Sequence, residues 1–100
     1  MNKLPISLNK KEIELFCKKH HISSLALFGS VLTNQFHSKS DVDFLVNFKK
    51  KHIPTLFDLV DMKEELGTIV GREVDLRTPL DLSRYFRDEV VSKAKVIYGK

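Results

Sequence analysis

The sequence is short of cysteine, tryptophan, glycine, proline and long apolar runs, and these shortages exclude several classes of protein. Its 100 residues contain one cysteine, no tryptophan, four glycines and three prolines. Because a lone cysteine cannot form an internal disulfide, we do not expect a disulfide-stapled domain, and we expect a reducing cytoplasm. No apolar run approaches the roughly 20 residues of a membrane span, and the N-terminus lacks the apolar block of a signal peptide. We therefore expect a cytoplasmic protein without a membrane partner.

The composition is that of one small globular domain. Hydrophobic residues make up 42% and charged residues 30% of the chain, enough to bury a core and remain soluble. We predict a single domain over residues 1–100, which leaves little room for a second, substrate-binding domain. Any large acceptor molecule must then be supplied by another protein.

The charge balance is mildly basic. There are 17 basic and 13 acidic residues, for a formal net charge of +4. The basic residues are scattered apart from the run at residues 49–52, which is interpreted as a solvated loop, so nucleic acid is a disfavoured partner. A secondary interpretation is that this run attracts an anionic substrate or partner.

Hydrophobic periodicity and capping residues divide the chain into alternating helices and strands. Asn9 followed by Glu12 is typical of a helix start, and this helix is predicted to end near His20 and His21. The other predicted elements are strands at residues 23–28, 41–47, 72–77 and 95–98, a short helix capped by Ser30, a helix from Pro54 to Gly71, and a helical region over residues 79–91. This order predicts an α/β (α+β) fold in which helices pack on a small sheet.

Apolar residues at helical spacing are the predicted core. The candidates are Ile13, Phe16 and Cys17 in the first helix, Leu56, Leu59, Val60, Leu66 and Val70 in the second, and Leu80, Leu82, Tyr85, Phe86 and Val90 in the last. Cys17 is interpreted as a core residue rather than a nucleophile. The two adjacent histidines are interpreted as helix-end or surface residues, because neighbouring positions on a helix point in different directions.

Two aspartates open the second predicted strand. Alternate residues of a strand share a face, so Asp41 and Asp43 are expected on one side and the apolar Val42 and Phe44 on the other. The apolar side is expected to face the hydrophobic core. The two carboxylates are thus held side by side on the opposite face, an arrangement that suits a divalent metal carrying a nucleoside triphosphate.

A glycine and a serine end the first predicted strand. Gly29 permits close backbone approach, and N–H groups at the start of a helix after Ser30 would form a cradle for phosphate. Alone, this dipeptide is most often a simple turn. Ser40, immediately before the aspartates, is predicted chiefly to shape its turn and is also a candidate nucleotide contact.

A third aspartate lies in the third predicted strand. If that strand lies beside the second, Asp75 joins Asp41 and Asp43 on one face. Three adjacent carboxylates repel one another unless cations lie between them, and one or two Mg²⁺ ions that also bind substrate phosphates would resolve this. Asp75 would then also help to deprotonate an acceptor hydroxyl. The simpler alternative for Asp75 is a surface ion pair with Arg72 or Arg77.

Together these motifs carry a family resemblance. The chain resembles the nucleotidyltransferase superfamily that includes polymerase beta, and most of all its minimal nucleotidyltransferase (MNT) family. The matching segments are residues 27–30 (LFGS), 40–46 (SDVDFLV) and 71–76 (GREVDL). The resemblance implies a polymerase beta-like fold with a small mixed sheet, and a metal-dependent transferase that uses the three aspartates.

The resemblance also implies a partner. MNT proteins are commonly encoded beside a HEPN-domain ribonuclease toxin and act as its antitoxin by transferring AMP from ATP to a tyrosine of the toxin. This sequence departs from the family in one stretch: where members often have arginines after Gly-Ser, it has Val31-Leu32-Thr33-Asn34. Because arginine binds phosphate bidentately, its loss predicts weaker contacts to nucleotide or partner.

Other functions stay open at the level of sequence. A catalytically weak or silent protein could neutralise its partner by masking it. The chain could also be the catalytic subunit of a small-molecule nucleotidyltransferase, with a homo-oligomer or another subunit providing the acceptor site. The intact aspartates favour the enzyme over the masking protein.

Overall fold

The computed structural model describes residues 5–99, in which three α-helices and four strands alternate along the chain. The elements are α1 (Lys10–Lys19), β1 (Ile22–Phe28), β2 (Val42–Phe48), α2 (Leu56–Val70), β3 (Val74–Arg77), α3 (Arg87–Lys93) and β4 (Lys95–Tyr98), with 3-10 turns at Gly29–Leu32 and Pro79–Asp81. The predicted α/β class and the order of the elements are confirmed, apart from the region between β3 and α3.

The four strands form one mixed sheet in the order β3-β2-β1-β4. β1 pairs antiparallel with both β2 and β4, whereas β2 and β3 run parallel. The parallel pair is possible because α2 forms the crossover between its strands. This topology confirms the predicted small mixed sheet and places β3 directly beside β2.

One face of the sheet is sealed by α1 and α2. The buried cluster contains Ile13, Phe16, Cys17, Ile22, Leu25, Leu27, Val31, Val42, Phe44, Val46, Met62, Leu66 and Val74. Cys17 is fully buried, and burial raises the pKa of its thiol to about 12. The thiol therefore stays protonated, which confirms that Cys17 is a core residue.

Caps fix the ends of both long helices. The Asn9 side chain accepts the N–H of Glu12 at 3.0 Å and starts α1, as predicted. Thr55 and Asp58 cap each other reciprocally at the start of α2, and Gly71 ends it with a φ of 72°. Pro54 therefore lies just before the helix rather than in its first turn, which corrects the prediction.

Two residues of α2 that were predicted to be in the core are exposed. Leu56 is 75% and Val60 is 49% exposed. The apolar residues of α2 are spread around much of its circumference, so their spacing alone does not show which side of the helix is buried. Leu66 is fully buried and Leu59 and Val70 are partly buried against the core, as predicted, and Met62 is a fully buried position that was not predicted.

The predicted helical region over residues 79–91 is wrong in its first half. Thr78 and Asp81 cap a single 3-10 turn, and the guanidinium of Arg87 then binds the carbonyls of Pro79 and Leu82 at 2.7 and 2.9 Å. These carbonyls are satisfied by a side chain, so no helix is needed to pair them. The predicted core residues Leu80, Tyr85 and Phe86 are exposed, at 82%, 85% and 51%, while Leu82 and Val90 are only partly buried.

Between residues 5 and 99, no helix combines the length and apolar character that crossing a membrane requires.

Candidate active site

Strand β2 separates core residues from acidic ones. Val42, Phe44 and Val46 lie in the buried cluster, as the predicted alternation requires. Asp43 faces the other side, together with Leu45. Leu45 is nevertheless only 3% exposed, because this second face of the sheet is partly covered by the Pro79–Asp81 turn and α3.

Asp43 and Asp75 are direct partners across the parallel strands β2 and β3. Paired residues of neighbouring strands share a face and lie about 5 Å apart at the backbone. Asp41 immediately precedes β2, so the strand begins one residue later than predicted. The structure thus places Asp43 beside Asp75, and Asp41 lies near enough for its charge to act on Asp43.

The electrostatics of Asp43 reflect this crowding. Partial burial raises its pKa, and the nearby charges of Asp75 and Asp41 raise it further, against a lowering effect of Arg77. Each of these causes except Arg77 disfavours the ionised form. A cation would relieve the repulsion.

In this structure Asp75 forms an ion pair with Arg77. Arg77 Nε lies 3.1 and 3.3 Å from the two carboxylate oxygens of Asp75. Within residues 5–99, no three Asp, Glu, His or Cys side chains are gathered closely enough to hold a metal ion in this conformation. The carboxylate oxygens are the donors that magnesium prefers. The donor chemistry therefore fits a magnesium ion, and Asp75 would have to leave Arg77 to become a ligand.

Gly29 lies directly against Asp43. Its neighbour Phe28 is the cross-strand partner of Asp43, and Gly29 has a φ of 77°. A Cβ at Gly29 would collide with Oδ2 of Asp43, so only glycine fits both the dihedral and the space. The Gly29-Ser30 turn and the aspartates are consequently one site.

The prediction that Ser30 caps the short helix is wrong. The 3-10 turn starts at Gly29, its capping position is Phe28, and no side chain caps it. Ser30 lies inside the turn, where its carbonyl accepts the N–H and the hydroxyl of Thr33, each at 2.9 Å. Its own hydroxyl makes no hydrogen bond among the contacts found in residues 5–99 and is available to a ligand.

The loop before Asp41 is held by Ser40 and by Arg72, which was considered from the sequence only as an ion-pair partner of Asp75 and does not pair with it. The Ser40 hydroxyl accepts the N–H of His37 at 3.0 Å, which agrees with a turn-shaping role. Arg72 Nη2 donates to the carbonyls of His37 and Ser40 at 2.7 and 3.0 Å, and its guanidinium covers the ring of Phe36.

The backbone completes this anchorage. The N–H of Val42 donates to the carbonyl of Glu73 at 2.9 Å. Asp41 is therefore bracketed by contacts to Arg72 on one side and to Glu73 on the other. The available signal was the position of Arg72, immediately after the helix-ending glycine and before β3, but its partners are distant in sequence.

The comparisons with known proteins agree on one family. The family described as "Polymerase beta, Nucleotidyltransferase" matches residues 10–100. The protein MJ0435 of Methanocaldococcus jannaschii, named as a protein adenylyltransferase, is 33% identical over 85% of this chain and 89% of its own length. The protein adenylyltransferase MntA of Thermococcus cleftensis is 31% identical over 71% of this chain and 67% of its own.

Solved structures share the fold. A minimal nucleotidyltransferase matches with a TM-score of 0.69 at 28% identity, over 85% of each chain. A toxin–antitoxin complex with AMP-PNP matches with a TM-score of 0.73 at 22% identity, over 93% of this chain and 75% of that one. The complex of a tri-AMPylated Shewanella oneidensis HEPN toxin with its MNT antitoxin gives 0.63 at 19% identity, over 91% and 70%.

The extent of the family match decides the assignment. It spans both strands that carry the aspartates, the Gly29-Ser30 turn and the crossover helix between β2 and β3. The predicted resemblance and the predicted enzyme class are confirmed. This chain belongs to the polymerase beta nucleotidyltransferase family.

Proposed function

We propose that this protein is a magnesium-dependent adenylyltransferase that moves AMP from ATP to a tyrosine hydroxyl of a partner HEPN ribonuclease toxin and so acts as its antitoxin. One observation carries the proposal: Asp43 lies between Asp75, its partner on β3, and the backbone of Gly29. Carboxylates and a glycine turn at one point can bind a metal and a triphosphate together.

The relatives support the reaction and the partner. Two homologous chains carry protein adenylyltransferase names. The solved structures with the same fold include two toxin–antitoxin complexes, one with AMP-PNP and one with an AMPylated HEPN toxin. The tyrosine acceptor, the magnesium dependence and the HEPN partner of this particular chain are our proposal.

The residues have distinct roles in this mechanism. Asp41 and Asp43 hold the metal, and the amide groups of Gly29 and Ser30 with the Ser30 hydroxyl bind the β- and γ-phosphates. A bound magnesium ion supplies positive charge that neutralises the phosphates and the leaving pyrophosphate. Ser40 acts mainly by fixing the turn that leads into Asp41.

Asp75 accepts the proton of the acceptor hydroxyl. The tyrosine oxygen then forms a bond to the α-phosphorus of ATP as the bond from that phosphorus to the pyrophosphate oxygen breaks. The products are an AMP–tyrosine ester and pyrophosphate. For Asp75 to take this proton, its carboxylate must exchange the contact with Arg77 for one with the acceptor.

A transfer assay tests the proposal. Purified protein is incubated with the HEPN toxin encoded beside it, ATP labelled at the α-phosphate, and Mg²⁺. We expect label on a toxin tyrosine, no label with EDTA, and none with Asp41→Ala or Asp43→Ala. Absence of label from the wild-type reaction under saturating ATP and Mg²⁺ would refute the proposed activity.

A binding antitoxin without catalysis is the second candidate, and one observation favours it. The residue after Ser30 is Val31, which is buried in the core and only 2% exposed, so it cannot replace a phosphate-binding arginine. If masking is the function, the Asp41→Ala/Asp43→Ala double variant neutralises the toxin as fully as the wild type. Loss of neutralisation in that variant, with binding retained, favours the enzyme.

A further inference from the structure

The outward side of α2 carries an apolar patch that no other described residue covers. It consists of four large apolar residues, each between 49% and 88% exposed: Ile53, Leu56, Phe57 and Val60. At 3.6 residues per turn, the three helical members lie within about 100° of the circumference and face away from the buried Met62 and Leu66. Isolated exposed apolar side chains are ordinary, whereas a contiguous patch of large ones marks an interaction site. We call these four residues the α2 patch.

Opposite charges lie at the two ends of the α2 patch. Lys51 ends a run of exposed lysines shortly before Ile53, and Glu64 follows Val60 by one helical turn on the same side of α2. Among residues 5–99, neither Lys51 nor Glu64 has an ion-pair partner. Along the direction of α2, this surface is therefore basic, then apolar, then acidic.

The neighbouring charges preserve this order. Residues 61–64 contain two acids and one lysine, for a net charge of −1. The other two acids of α2 are already engaged, because Asp58 caps the helix and Glu65 pairs with Lys19. No acid interrupts the lysines at residues 49–51. The two ends of the patch therefore keep opposite net charges.

A surface with this order is complementary to a second copy of itself. We propose that the protein forms a homodimer through the α2 patch, with the two α2 helices antiparallel about a two-fold axis. Lys51 of each copy then lies opposite Glu64 of the other, and each contact is formed twice. A parallel arrangement would instead oppose lysine to lysine and acid to acid, which Coulomb repulsion disfavours.

The same pairing brings the apolar residues together. The midpoint of the stretch from Lys51 to Glu64 is at Phe57, so the two Phe57 rings meet close to the two-fold axis. Offset or edge-to-face contact between such rings is favourable beyond the area that they bury. Leu56 and Val60 lie beside Phe57 on the same side of the helix and complete the contact.

The acidic end of the patch also has room for the second copy. A groove with a volume of about 890 Å³ starts at Val60 and continues past Gly67, where the absence of a side chain leaves it open. In the antiparallel pair, Ile53 of the other copy lies opposite the start of this groove. Its side chain, 88% exposed in the single chain, is buried there in the dimer.

The dimer leaves both candidate active sites open. α2 packs on the closed face of the sheet, whereas Asp43 and Asp75 lie on the opposite face. The interface and the active site are thus on different sides of each subunit, with room for an acceptor molecule on each. The inference does not depend on the proposed function and is tested without it.

Sedimentation equilibrium of the purified full chain tests the dimer. A patch of this size is smaller than a standard interface, so we expect a weak dimer with a Kd on the order of 10 μM. Phe57→Asp should weaken association at least about tenfold, because it places two like charges near the axis. Phe57→Ala is a milder second variant. Tyr85→Asp is the matched control, since Tyr85 is 85% exposed on another surface, and it should leave the Kd unchanged.

The folding of each variant is checked by circular dichroism. Because Phe57 is 82% exposed in the single chain, both of its variants should keep the stability of the monomer when unfolding is measured well below the Kd. Weakened association in these variants then reports on the interface rather than on the fold.

A charge exchange tests the antiparallel register. Lys51→Glu and Glu64→Lys should each weaken association about threefold to tenfold, since each places like charges opposite each other. Combining them should restore the Kd to within about twofold of the wild type, because the pair re-forms with its signs reversed. Lys95→Glu combined with Glu64→Lys has the same net charge and should not restore it, because Lys95 lies on β4.

Two results overturn the inference while leaving the proposed function intact. One is a wild-type protein that stays monomeric up to about 500 μM, far above the expected Kd. If the Phe57→Asp variant of such a monomer also fails to bind the toxin, the patch belongs to the toxin instead. The other is a dimer that survives Phe57→Asp and is lost in Tyr85→Asp, which would place the interface on a different surface.

Discussion

The two faces of the sheet are built from alternate residues of the same strands, yet they serve different purposes. The face under α1 and α2 is closed: Phe44 and Leu66 are completely buried there. The opposite face is only partly covered, and Asp43 and Asp75 lie half-buried on it. Neighbouring positions along β2 thus contribute to stability and to chemistry in turn. Substitutions at adjacent residues should separate the two contributions.

The largest expected effect is on the acidic face. Asp43→Asn keeps the shape of the side chain but removes its negative charge. The substitution therefore weakens metal binding and also ends the charge repulsion with Asp75. We expect AMP transfer to fall by about 1,000-fold or more, ~4 kcal/mol in the barrier, with an unchanged or slightly higher Tm. Single-turnover transfer kinetics and thermal unfolding measure the two quantities. A variant that unfolds without losing activity per folded molecule would contradict the separation of the faces.

The next prediction concerns the neighbouring residue on the core face. Phe44→Ala removes a ring that is fully buried, and we expect a loss of about 3–5 kcal/mol of unfolding free energy. Urea denaturation with linear extrapolation gives this value. Phe57→Ala serves as the control because Phe57 is 82% exposed, and it should change stability by less than ~0.5 kcal/mol. Equal losses in both variants would show that the core is not where the structure places it.

Gly29 and Gly71 sharpen the comparison because both have positive φ values, 77° and 72°. Alanine at Gly71 meets no atom within 4 Å and should cost only the strain of the backbone, about 1 kcal/mol. Alanine at Gly29 meets Asp43 as well, so we expect a cost of about 2–3 kcal/mol and a loss of ATP binding. Denaturation and calorimetry compare the pair. Normal ATP affinity in Gly29→Ala would separate this turn from the nucleotide site.

The sequence correctly predicted the features that depend on interactions between residues close together in the chain. Alternation in β2 placed Asp43 opposite Phe44, and the Asn9 cap placed the start of α1 correctly. Leu80 and Tyr85 were predicted to be buried but are exposed. The spacing of apolar residues does not reveal whether another part of the fold is present to cover them. Within residues 5–99 the chain offers no such cover, and Arg87 replaces helical hydrogen bonding in that segment.

The site shows the same division. The sequence predicted that Asp43 and Asp75 lie side by side only on the condition that β2 and β3 are neighbouring strands. The family resemblance supported that condition, and the structure meets it. The role of Arg72 could not be predicted, because its hydrogen bonds reach His37 and Ser40, more than 30 positions away. The pairing of Arg77 with Asp75 was foreseen only as an alternative.

Arg72 supplies the next test, since it links the core-face helix to the acidic face. Arg72→Ala removes two charge-assisted hydrogen bonds from the loop before Asp41, worth about 1–3 kcal/mol. We expect transfer to fall about 10- to 100-fold, and Mn²⁺ affinity measured by electron paramagnetic resonance to fall with it. Arg72→Lys should recover little, because a lysine ammonium lacks the flat guanidinium that covers the Phe36 ring while its Nη2 binds both carbonyls. Arg84→Ala, at an exposed arginine, should leave both measurements unchanged, and full metal affinity in Arg72→Ala would remove the positioning role.

The smallest expected effect is the pH dependence of stability in the metal-free protein. Asp43 keeps its proton to a higher pH in the folded than in the unfolded chain, because burial and the charges of Asp75 and Asp41 raise its pKa. As the pH rises from the ordinary aspartate pKa through this raised value, the unfolded chain ionises first, so the folded state loses stability across that window. Asp58 and Glu89 have lowered pKa values, through hydrogen bonds from Thr55 and Lys93, and contribute the opposite slope at lower pH.

The difference between wild type and Asp43→Asn isolates the contribution of Asp43, because Asp58 and Glu89 are common to both. We expect this difference in unfolding free energy to grow by up to about 1 kcal/mol across the window, a magnitude typical of partly solvated charges. Mg²⁺ should reduce it, since a cation among the carboxylates favours their ionised form. Urea titrations at a series of pH values in EDTA and in Mg²⁺ measure both effects. A difference that is flat with pH and unaffected by Mg²⁺ would mean that the acidic face carries no electrostatic strain for a metal to relieve.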